Sequence, residues 1–338
     1  MKFQIQREDL LIPLQKIIGA VEKRQTMPAL SNILVKADND KISLTATDLE
    51  IELVTTLNMV ADETGETTLP ARKLLDICKA LPENCSISIS VDSNKAIIKS
   101  GRSRFSLSTL PAEDFPALDS INSVAEFDLP QTTLKELIDK TSFAMALQDV
   151  RYYLNGLLLE VSTGLLRAVA TDGHRLAYCE KQADCELAEI KQVIVPRKGV
   201  QELVRLLDSS DEPIKILMGS NHLRVEVGGI RFTSKLIDGR FPDYNRVIPE
   251  DGKNIIIADR EALHQALVRA SILSNEKYRG IRLVVDGDVL LLQAQNPDQE
   301  EADVEVEVNY TGDALEIGFN VNYMLDVLSV TGASTVQG

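Results

Sequence analysis

The residues of this chain that could most readily do chemistry lie in one short stretch, ATDGHRLA at positions 170–177. Asp172 stands two residues before His174, and a carboxylate that orients an imidazole is a common way to build a general base. The chain has only three histidines, so this one is conspicuous. One hypothesis is therefore a hydrolase of nucleic-acid metabolism that uses Asp172 and His174.

Other features of the sequence argue against catalysis at this stretch. A hydrolase needs a nucleophile, and the chain has no G-x-S-x-G motif. Cys179 follows five residues later on a predicted strand, where alternation turns its side chain to the face opposite His174. His222 and His264 occur at unrelated positions, so the third and fourth ligands of a metal site are missing. We predict no catalytic residue, no metal site and no cofactor.

Composition bounds the class of protein. With 338 residues the chain is long enough for two or three domains, and its 44% hydrophobic and 26% charged residues are typical of soluble globular proteins. The longest apolar runs, such as VLLLQA at 289–294, are too short to span a membrane. The N-terminal MKFQIQREDLL lacks the apolar core of a signal peptide, and the four cysteines lack the spacing of a zinc site. We expect a cytoplasmic protein with no membrane contact.

Net charge gives a partial answer about partners. The chain carries 36 basic and 51 acidic residues, which amounts to a net charge of −15. That excess of acid, taken alone, argues against a nucleic-acid partner. Net charge does not show where the charges lie, so it does not exclude a basic surface on an acidic protein.

The stretch that contains Asp172 is one copy of an internal repeat. The three copies are evenly spaced, and each ends a predicted β-hairpin: LTATD at 44–48, AVATD at 168–172 and LQAQN at 292–296. A helix-like segment precedes each hairpin. A second helix follows each hairpin, at 70–81, 196–207 and 320–330. The other copies continue as TDLEI and QNPDQ, so the repeat does not require a histidine.

The repeat predicts the architecture. We expect an α+β fold made of three copies of one module, each with two helices packed on strand hairpins. Polar, turn-rich stretches place the boundaries, which gives modules at 1–122, 123–250 and 251–338. Modules 1 and 2 continue alike after the second helix, in the related segments 92–116 and 219–243. Module 3 has no such segment, and we therefore expect it to be incomplete, with its closing strands missing.

Several long and unusual segments carry a resemblance to a known family. They are SGRSRFSLSTLPAEDFP, QDVRYYLNG, ATDGHRLA, VIVPRKGV, FTSKLIDGRFPDY, ILSNEKYRG and EIGFNVNYMLDVL. Together they resemble the bacterial β sliding clamp, the processivity subunit of DNA polymerase III, from Met1 to about Leu328. The family's last strands and terminal tail have no counterpart. The resemblance implies a head-to-tail homodimeric ring, with helices lining a central hole and antiparallel sheets outside.

The resemblance also implies a function without catalysis. A clamp of this family encircles duplex DNA regardless of sequence and tethers the replicative polymerase and other replication and repair proteins. The clamp loader and the polymerases bind it through short linear peptides. Weak attraction to phosphates suits a protein that must slide. A third hypothesis, a three-module binding protein without DNA contact, would form no ring.

The matching positions predict groups of functional residues. The DNA-contacting group consists of Arg24, Gln148, Arg151, Tyr152, Tyr153, Arg197 and Lys198. The groove for partner peptides consists of Leu154, Thr171, Gly173, His174, Arg175, Leu176, Pro242, Arg246 and Val247. Its apolar members can bury a leucine or phenylalanine of the partner, and its basic members can hold acidic groups. The two tyrosines could equally be packing residues at the start of a strand.

The last group is the predicted dimer interface. It consists of Lys73, Arg102, Arg104, Phe105 and Leu107 on module 1 and Ile272, Leu273, Asp298, Glu300 and Glu301 on module 3. Alternation along a strand places Phe105 and Leu107 on one face and the arginines on the other. The two sides carry opposite charges, and a heterologous contact of this kind can close a ring. The alternative is an ordinary edge strand and an acidic surface loop.

Overall fold

The computed structural model describes residues 1–22, 27–116, 118, 122–185, 187, 189–249 and 252–338. The chain divides into two compact units, Met1–Arg240 and Phe241–Gly338. The first unit contains the first two copies of the repeat, and the second unit contains the third copy. No helix among the described residues is long and apolar enough to cross a membrane.

The first copy alternates short strands with two helices. Its elements are β1 (Lys2–Gln6), α1 (Arg7–Ile17), β2 (Asn32–Ala37), β3 (Lys41–Thr47), β4 (Ile51–Asn58), β5 (Gly65–Pro70), α2 (Ala71–Ala80), β6 (Ser86–Asp92), β7 (Lys95–Ser100) and β8 (Ser103–Ser108). After α1 the chain continues as a 3₁₀ turn over Ile18–Ala20. Gly19 lies in that turn, and glycine is a weak helix former, which accounts for the end of α1 at this point.

The second copy repeats this order. Its elements are β9 (Ser123–Pro130), α3 (Gln131–Asp139), β10 (Gly156–Ser162), β11 (Leu165–Thr171), β12 (Leu176–Gln182), β13 (Lys191–Pro196), α4 (Arg197–Leu206), β14 (Pro213–Gly219), β15 (His222–Val227) and β16 (Ile230–Lys235). The predicted second helices are confirmed as α2 and α4. Each begins directly after a proline, Pro70 or Pro196, whose fixed φ suits the entry to a helix.

One eight-stranded antiparallel sheet joins the two copies of the first unit. Its strand order is β5-β2-β3-β4-β16-β15-β14-β9. The copies meet where β4 pairs with β16, with Leu53 opposite Phe232 and Ile51 opposite Ser234. Two four-stranded sheets, β1-β6-β7-β8 and β12-β11-β10-β13, complete the unit. Backbone hydrogen bonds therefore run from the first copy directly into the second.

The helices of the first unit bury their apolar faces against these sheets. Leu10, Leu14 and Ile17 of α1 are almost fully buried, as are Leu134 and Leu137 of α3. Their spacing is that of one helix face. The buried side chains of both copies form one continuous hydrophobic cluster. The core therefore crosses the boundary between the copies together with the sheet.

The second unit follows the same plan on a smaller scale. Its elements are β17 (Ile255–Asp259), α5 (Arg260–Ser271), β18 (Gly280–Asp286), β19 (Val289–Gln295), β20 (Glu301–Glu307), β21 (Asn309–Thr311), β22 (Leu315–Asn320), α6 (Val321–Val330) and β23 (Thr335–Gln337). The sheets are β21-β17-β23 and β20-β19-β18-β22, both antiparallel. Leu263, Ala266 and Leu267 of α5 pack into a separate core. Helices on antiparallel sheets confirm the predicted α+β class.

Replacing Glu52 by glutamine should stabilise the first unit at neutral pH. Glu52 lies on β4 opposite Thr233 of β16 and is 8% exposed. Burial raises the pKa of its carboxyl above the usual value, although Arg231 and Arg224 oppose the shift. A carboxyl whose pKa is higher in the folded state destabilises the fold once it ionises, so this cost is present at neutral pH and is absent below the unfolded pKa.

We expect the Glu52→Gln variant to unfold at a higher temperature than the parent at neutral pH, by roughly 2–4 °C for each kcal/mol relieved. The difference should vanish below about pH 4, where the carboxyl is protonated in both states. Thermal unfolding followed by circular dichroism measures both values. Glu66→Gln, on the exposed pair with Lys36, is the matched control. An equal gain in that control would show that Glu52 is not the cause.

Candidate peptide groove and DNA-contacting loop

The stretch ATDGHR forms a closed turn between β11 and β12. Thr171 Oγ1 donates a hydrogen bond to the carbonyl oxygen of Arg175 at 2.6 Å and accepts one from the amide of Gly173 at 3.1 Å. Asp172 Oδ1 accepts from the amides of His174 and Arg175 at 2.9 and 3.0 Å. Gly173 has a φ of 87°, which glycine adopts without strain. The threonine and aspartate side chains thus fix the backbone of the turn.

The side chain of Arg175 anchors this turn to the rest of the module. Its Nε donates to Asp172 Oδ2 at 3.1 Å, and its Nη2 donates to the carbonyl oxygen of Phe143 at 2.9 Å. The guanidinium carbon lies 5.3 Å from the centroid of the Phe143 ring, within the range of a cation–π interaction. Arg175 is therefore preorganised, so a ligand that binds it meets a fixed cation.

The geometry of the turn does not prepare a catalytic group. Both carboxylate oxygens of Asp172 accept hydrogen bonds within the turn. In the part of the chain that the structure describes, the His174 imidazole has no hydrogen bond to another side chain, and no three side chains cluster as metal ligands. Asp172 orients the backbone and does not orient the imidazole.

The other copies of the repeat build the same turn without a histidine. In the first copy, Asp48 Oδ1 accepts from the amide of Glu50 at 2.9 Å. In the third copy, Asn296 Oδ1 accepts from the amide of Asp298 at 3.0 Å. A short polar side chain that caps the amide two residues on is a common turn device. The residue at the position of Asp172 is therefore structural in every copy.

Four of the predicted DNA contacts share one loop that precedes β10: Gln148, Arg151, Tyr152 and Tyr153. The loop is closed by two residues at its ends. Asp149 donates its amide to Asn155 Oδ1 at 2.8 Å, and Asn155 Nδ2 donates to the carbonyl oxygen of Asp149 at 2.9 Å. Tyr152 is 57% exposed, and its ring meets Tyr153 edge-on at 5.9 Å between centroids. An exposed ring of this kind can stack on a nucleic-acid base.

Arg151 connects this loop with the turn of Thr171 to Arg175. Its Nε and Nη2 donate to the two carboxylate oxygens of Asp149 at 3.0 and 2.9 Å, and these bonds lower the pKa of Asp149 to about 2. Nη2 also donates to the carbonyl oxygen of Asp172 at 3.4 Å. A Cβ on Gly173 would lie 2.8 Å from the same Nη2. One arginine thus contacts both predicted sites.

The remaining predicted DNA contacts begin with two residues at the start of α4. Arg197 Nη1 donates to the carbonyl oxygen of Met145 at 3.1 Å, just before the loop. Lys198 Nζ forms an ion pair with Asp48 of the first copy. Arg24 lies outside the described residues.

The predicted groove residues fall in both compact units. In the first unit, Leu154 is buried and Leu176 is half-buried at the start of β12. The turn of Thr171 to Arg175 joins β11 to β12 in that unit. Pro242, Arg246 and Val247 belong to the second unit, where the Arg246 side chain is 82% exposed and Val247 is 65% exposed.

Comparison with known proteins shows the family. Residues 1–119, 128–243 and 245–337 match the N-terminal, central and C-terminal domains of the DNA polymerase III beta subunit. The beta sliding clamps of Pseudomonas aeruginosa and Escherichia coli are 55% and 52% identical over 338 residues, which cover 100% of this chain and 92% of each relative. This chain belongs to the β sliding clamp family.

Solved structures of the family agree with this assignment. A crystal structure of the DNA polymerase III subunit beta from Pseudomonas aeruginosa matches with a TM-score of 0.97 at 55% identity. The pol III beta structure from Caulobacter crescentus matches with a TM-score of 0.94 at 40% identity. Each match covers 100% of this chain and 92% of the other.

Membership in the family confirms the predicted class of fold and function. The chain consists of three clamp domains and is a processivity subunit of DNA polymerase III. The subunit is not catalytic, so the hypothesis of a hydrolase at Asp172 and His174 is wrong. The family implies DNA and a polymerase as partners.

Sequence reasoning missed the residues that hold the turn of Thr171 to Arg175 and the loop of Gln148 to Tyr153 in place. Phe143 contacts Arg175 through its carbonyl oxygen and its ring, yet it stands 32 positions away in the chain. Asp149 holds Arg151 through two hydrogen bonds. For Asp149 the sequence did contain a signal, because an aspartate two residues before an arginine can cap its amide, as it does here at 2.8 Å.

Proposed function

We propose that this clamp closes head to tail with a second copy into a ring around duplex DNA. In the cytoplasm, that ring would serve as the platform on which the clamp loader and the replicative and repair polymerases dock. The observation that supports ring closure is the pairing of β4 with β16 between the two copies of the repeat in the first unit. Among the described residues, β8 and β20 each pair with one strand only. Each therefore has an edge that could pair in the same way.

The two open edges correspond to the two strands that meet within the first unit. β8 has the place in the first copy that β16 has in the second, with Phe105 at the position of Phe232. β20 has the place in the third copy that β4 has in the first, with Glu301 at the position of Glu52. A pairing of β8 with β20 of another copy would repeat the β4–β16 junction. Applied twice, it closes a ring of two chains.

This correspondence also predicts the register between the copies. Carrying the β4–β16 pairing over to β8 and β20 places Arg104 of one copy opposite Asp303 of the other. It places Ser103 opposite Val304. Opposite charges at facing positions of an antiparallel pair contribute about 0.2–1 kcal/mol.

Both sides of the proposed interface are accessible and carry opposite charge. Lys73, Arg102 and Arg104 are exposed on one side, and the exposed acids on the other side are Asp298, Glu300 and Glu301. Along β8, half-buried Phe105 and Leu107 alternate with exposed residues and pack against the edge of the core of the first unit. The apolar pair on the facing side consists of Ile272 and Leu273, of which Ile272 is 74% exposed.

The loop of Gln148 to Tyr153, together with Arg197, is the proposed contact with DNA. It offers the exposed ring of Tyr152 and cations that bind phosphates without reading sequence. Cations on α3 and at its C-terminal end are partly offset by acids. Lys135 pairs with Asp139 at 3.3 Å, and Lys140 pairs with Glu136 at 2.5 Å. A surface with few free cations would hold DNA weakly enough to slide.

The turn of Thr171 to Arg175, with Leu176 beside it, is the proposed docking surface for partner peptides. Leu176 is half-buried and can pack against an apolar side chain of the partner. Leu154, the other leucine of the predicted groove, is buried and directly follows Tyr153 of the DNA-contacting loop. Gly173 adopts the positive φ of the turn, and its missing Cβ leaves room for the guanidinium of Arg151 beside the turn. Arg175 offers a preorganised cation, and His174 stands exposed next to it. Pro242, Arg246 and Val247, which belong to the second unit, are the other residues that the resemblance assigns to partner peptides.

Cysteine cross-linking tests the ring and its register. In the variant Ser103→Cys with Val304→Cys, oxidation should link two copies at both interfaces, because facing strand positions bring Cα atoms within the ~4.4–6.8 Å that a disulfide spans. Protein that is first loaded on nicked circular DNA and then cross-linked should stay bound at high salt and leave when the DNA is cut. Non-reducing electrophoresis and gel filtration with the DNA measure these outcomes.

The control moves one partner by a single residue. Ser103→Cys with Glu305→Cys places the second thiol on the other face of β20, and we expect little cross-linking. The parent, whose cysteines are all free thiols, supplies the background. Cross-linking that favours the shifted pair would contradict the register. Covalent rings that leave intact circles at high salt would contradict encirclement of DNA.

A further inference from the structure

One polar face of α4 contacts the first copy of the repeat at both of its ends. Lys198, Glu202 and Arg205 follow one another at intervals of four and three residues, which places them on the same side of the helix. Lys198 contacts Asp48 just before β4, and Arg205 contacts the last turn of α1. We call these three side chains the α4 face.

At the start of α4, Lys198 binds a buried carboxylate. The side chain of Asp48 is 1% exposed, and its Oδ2 forms an ion pair with Lys198 Nζ. Its Oδ1 accepts from the amides of Glu50 and Ile51 at 2.9 and 2.8 Å. The carbonyl oxygen of Glu50 in turn accepts from the amide of Lys235, across the junction of β4 and β16, at 2.8 Å. Asp48 therefore lies at the end of the seam between the copies.

The positive charge of Lys198 compensates the buried carboxylate of Asp48. Burial by itself would lower the pKa of its ammonium group, but the hydrogen bond to Asp48 and the nearby Glu22 and Glu50 raise the pKa above the usual value. A buried carboxylate without its cation is costly, because neither water nor another charge compensates it. Loss of the lysine would leave Asp48 in that condition.

At the end of α4, Arg205 binds the last turn of α1. Its Nη1 donates to the carbonyl oxygen of Gln15 at 3.1 Å, and its Nη2 donates to the carbonyl oxygen of Lys16 at 2.5 Å. Glu202 accepts from both Nε and Nη2 of Arg205, at 2.9 and 2.7 Å, and so sets its orientation. The last carbonyls of a helix lack partners within it and attract cations.

Gly19 allows this close approach. A Cβ at Gly19 would overlap the carboxylate of Glu202 and lie 2.6 Å from Arg205 Nη2. The glycine that ends α1 therefore also makes room for the α4 face.

We propose that the α4 face is an interface that locks the first copy of the repeat to the second, so that this junction does not act as a hinge. The β4–β16 pairing joins the copies through the sheet, and the α4 face joins them through the helices. Two separated attachments resist rotation about either one. Lys198 is then a positioning residue in addition to a predicted DNA contact. This inference concerns a junction within one chain and does not depend on closure of a ring.

The third copy lacks the cations of this face. At the positions of Lys198, Glu202 and Arg205, α6 carries Asn322, Asp326 and Ser329. Any bending that the clamp undergoes should therefore be concentrated away from the junction of the first two copies.

Hydrogen–deuterium exchange of the full chain tests the lock. In Lys198→Met, the amides of Ile51–Asn58 and Ile230–Lys235 should exchange faster, on the order of tenfold or more, because Asp48 is left without its cation. The double variant Asp48→Asn with Lys198→Met removes both charges and should exchange more slowly than Lys198→Met. Lys198→Arg keeps the cation and should protect the seam as the parent does. Arg205→Met should speed exchange at the end of α1.

The matched control is Lys215→Met. Lys215 pairs with Glu126 in the same unit, at an exposed site between β14 and β9, and its loss should leave the seam unchanged. Parent-like exchange at the seam in Lys198→Met would overturn the proposal, as would equal exchange in the single and double variants. If Lys198→Met does not fold while the double variant does, the same coupling is demonstrated. Asp48→Asn separates this role from DNA binding, because it loosens the seam while the Lys198 cation stays.

Discussion

Replacing Ile272 and Leu273 together by alanine is expected to convert the proposed ring into folded monomers. Ile272 is 74% exposed, so its truncation should cost the fold of the second unit little. In a ring it would be buried by β8 of another copy. Truncating a buried apolar anchor often costs about 2 kcal/mol or more, and two anchors together would weaken the interface roughly a thousandfold. Analytical ultracentrifugation gives the mass, and retention on circular DNA should be lost.

A control distinguishes loss of the interface from loss of the fold. Val289→Ala truncates another exposed apolar residue of the second unit, 42% exposed at the start of β19. We expect that variant to match the parent in mass and in DNA retention. Circular dichroism should show the same helix content in all three proteins. If the Ile272, Leu273 double variant sediments as a dimer like its parent, the interface lies elsewhere.

Leu176→Ala should weaken the binding of partner peptides without changing the fold. Leu176 is half-buried beside a turn whose backbone is fixed by Thr171 and Asp172, so an apolar peptide side chain that packs on it meets a rigid surface. Loss of such an anchor should cost about 2 kcal/mol, which raises Kd roughly thirtyfold. Fluorescence anisotropy with a labelled peptide from the clamp-binding segment of a cognate polymerase measures this change.

Leu165→Ala is the matched control for the groove. Leu165 is half-buried like Leu176, but it pairs with Gln182 at the opposite end of the β11–β12 pair. Its truncation should leave the peptide Kd at the parent value. Equal weakening in both variants would point to a general loosening of the sheet, and unchanged binding in Leu176→Ala would remove this residue from the groove.

The local elements of the clamp could be predicted because each depends on a few adjacent residues. Apolar residues at every second position indicate the strands of the three hairpins, and apolar residues with a period of about 3.6 indicate the second helices. Together these elements indicate the α+β class. The unusual segments around ATDGHRLA and QDVRYYLNG were enough to indicate the family. The sequence also argued against catalysis at the turn of Asp172, because the first and third copies keep a polar residue at that position and change the histidine.

The sequence proposes the candidate sites as groups of residues, but it does not give their geometry. Nothing local shows that Arg151 would lie against Gly173 and share a contact with Asp172. Nor does the sequence show that Phe143 receives the guanidinium of Arg175. Contacts of this kind depend on how the loops are packed on the sheet, and loops carry little periodic signal.

By itself, the sequence determined the helices and strands of this protein, its internal repeat and its family. Short-range periodicity and unusual segments can be recognised in the sequence without information about tertiary packing. Only the tertiary structure decided that β4 pairs with β16, and that Lys198 reaches Asp48. Both contacts join residues far apart in the chain. A strand edge has no sequence signature of its partner, and a lysine on a helix looks the same whether it faces water, DNA or a buried carboxylate. In the folded chain, the edge of β4 pairs with β16, and buried Asp48 at the end of that junction pairs with Lys198.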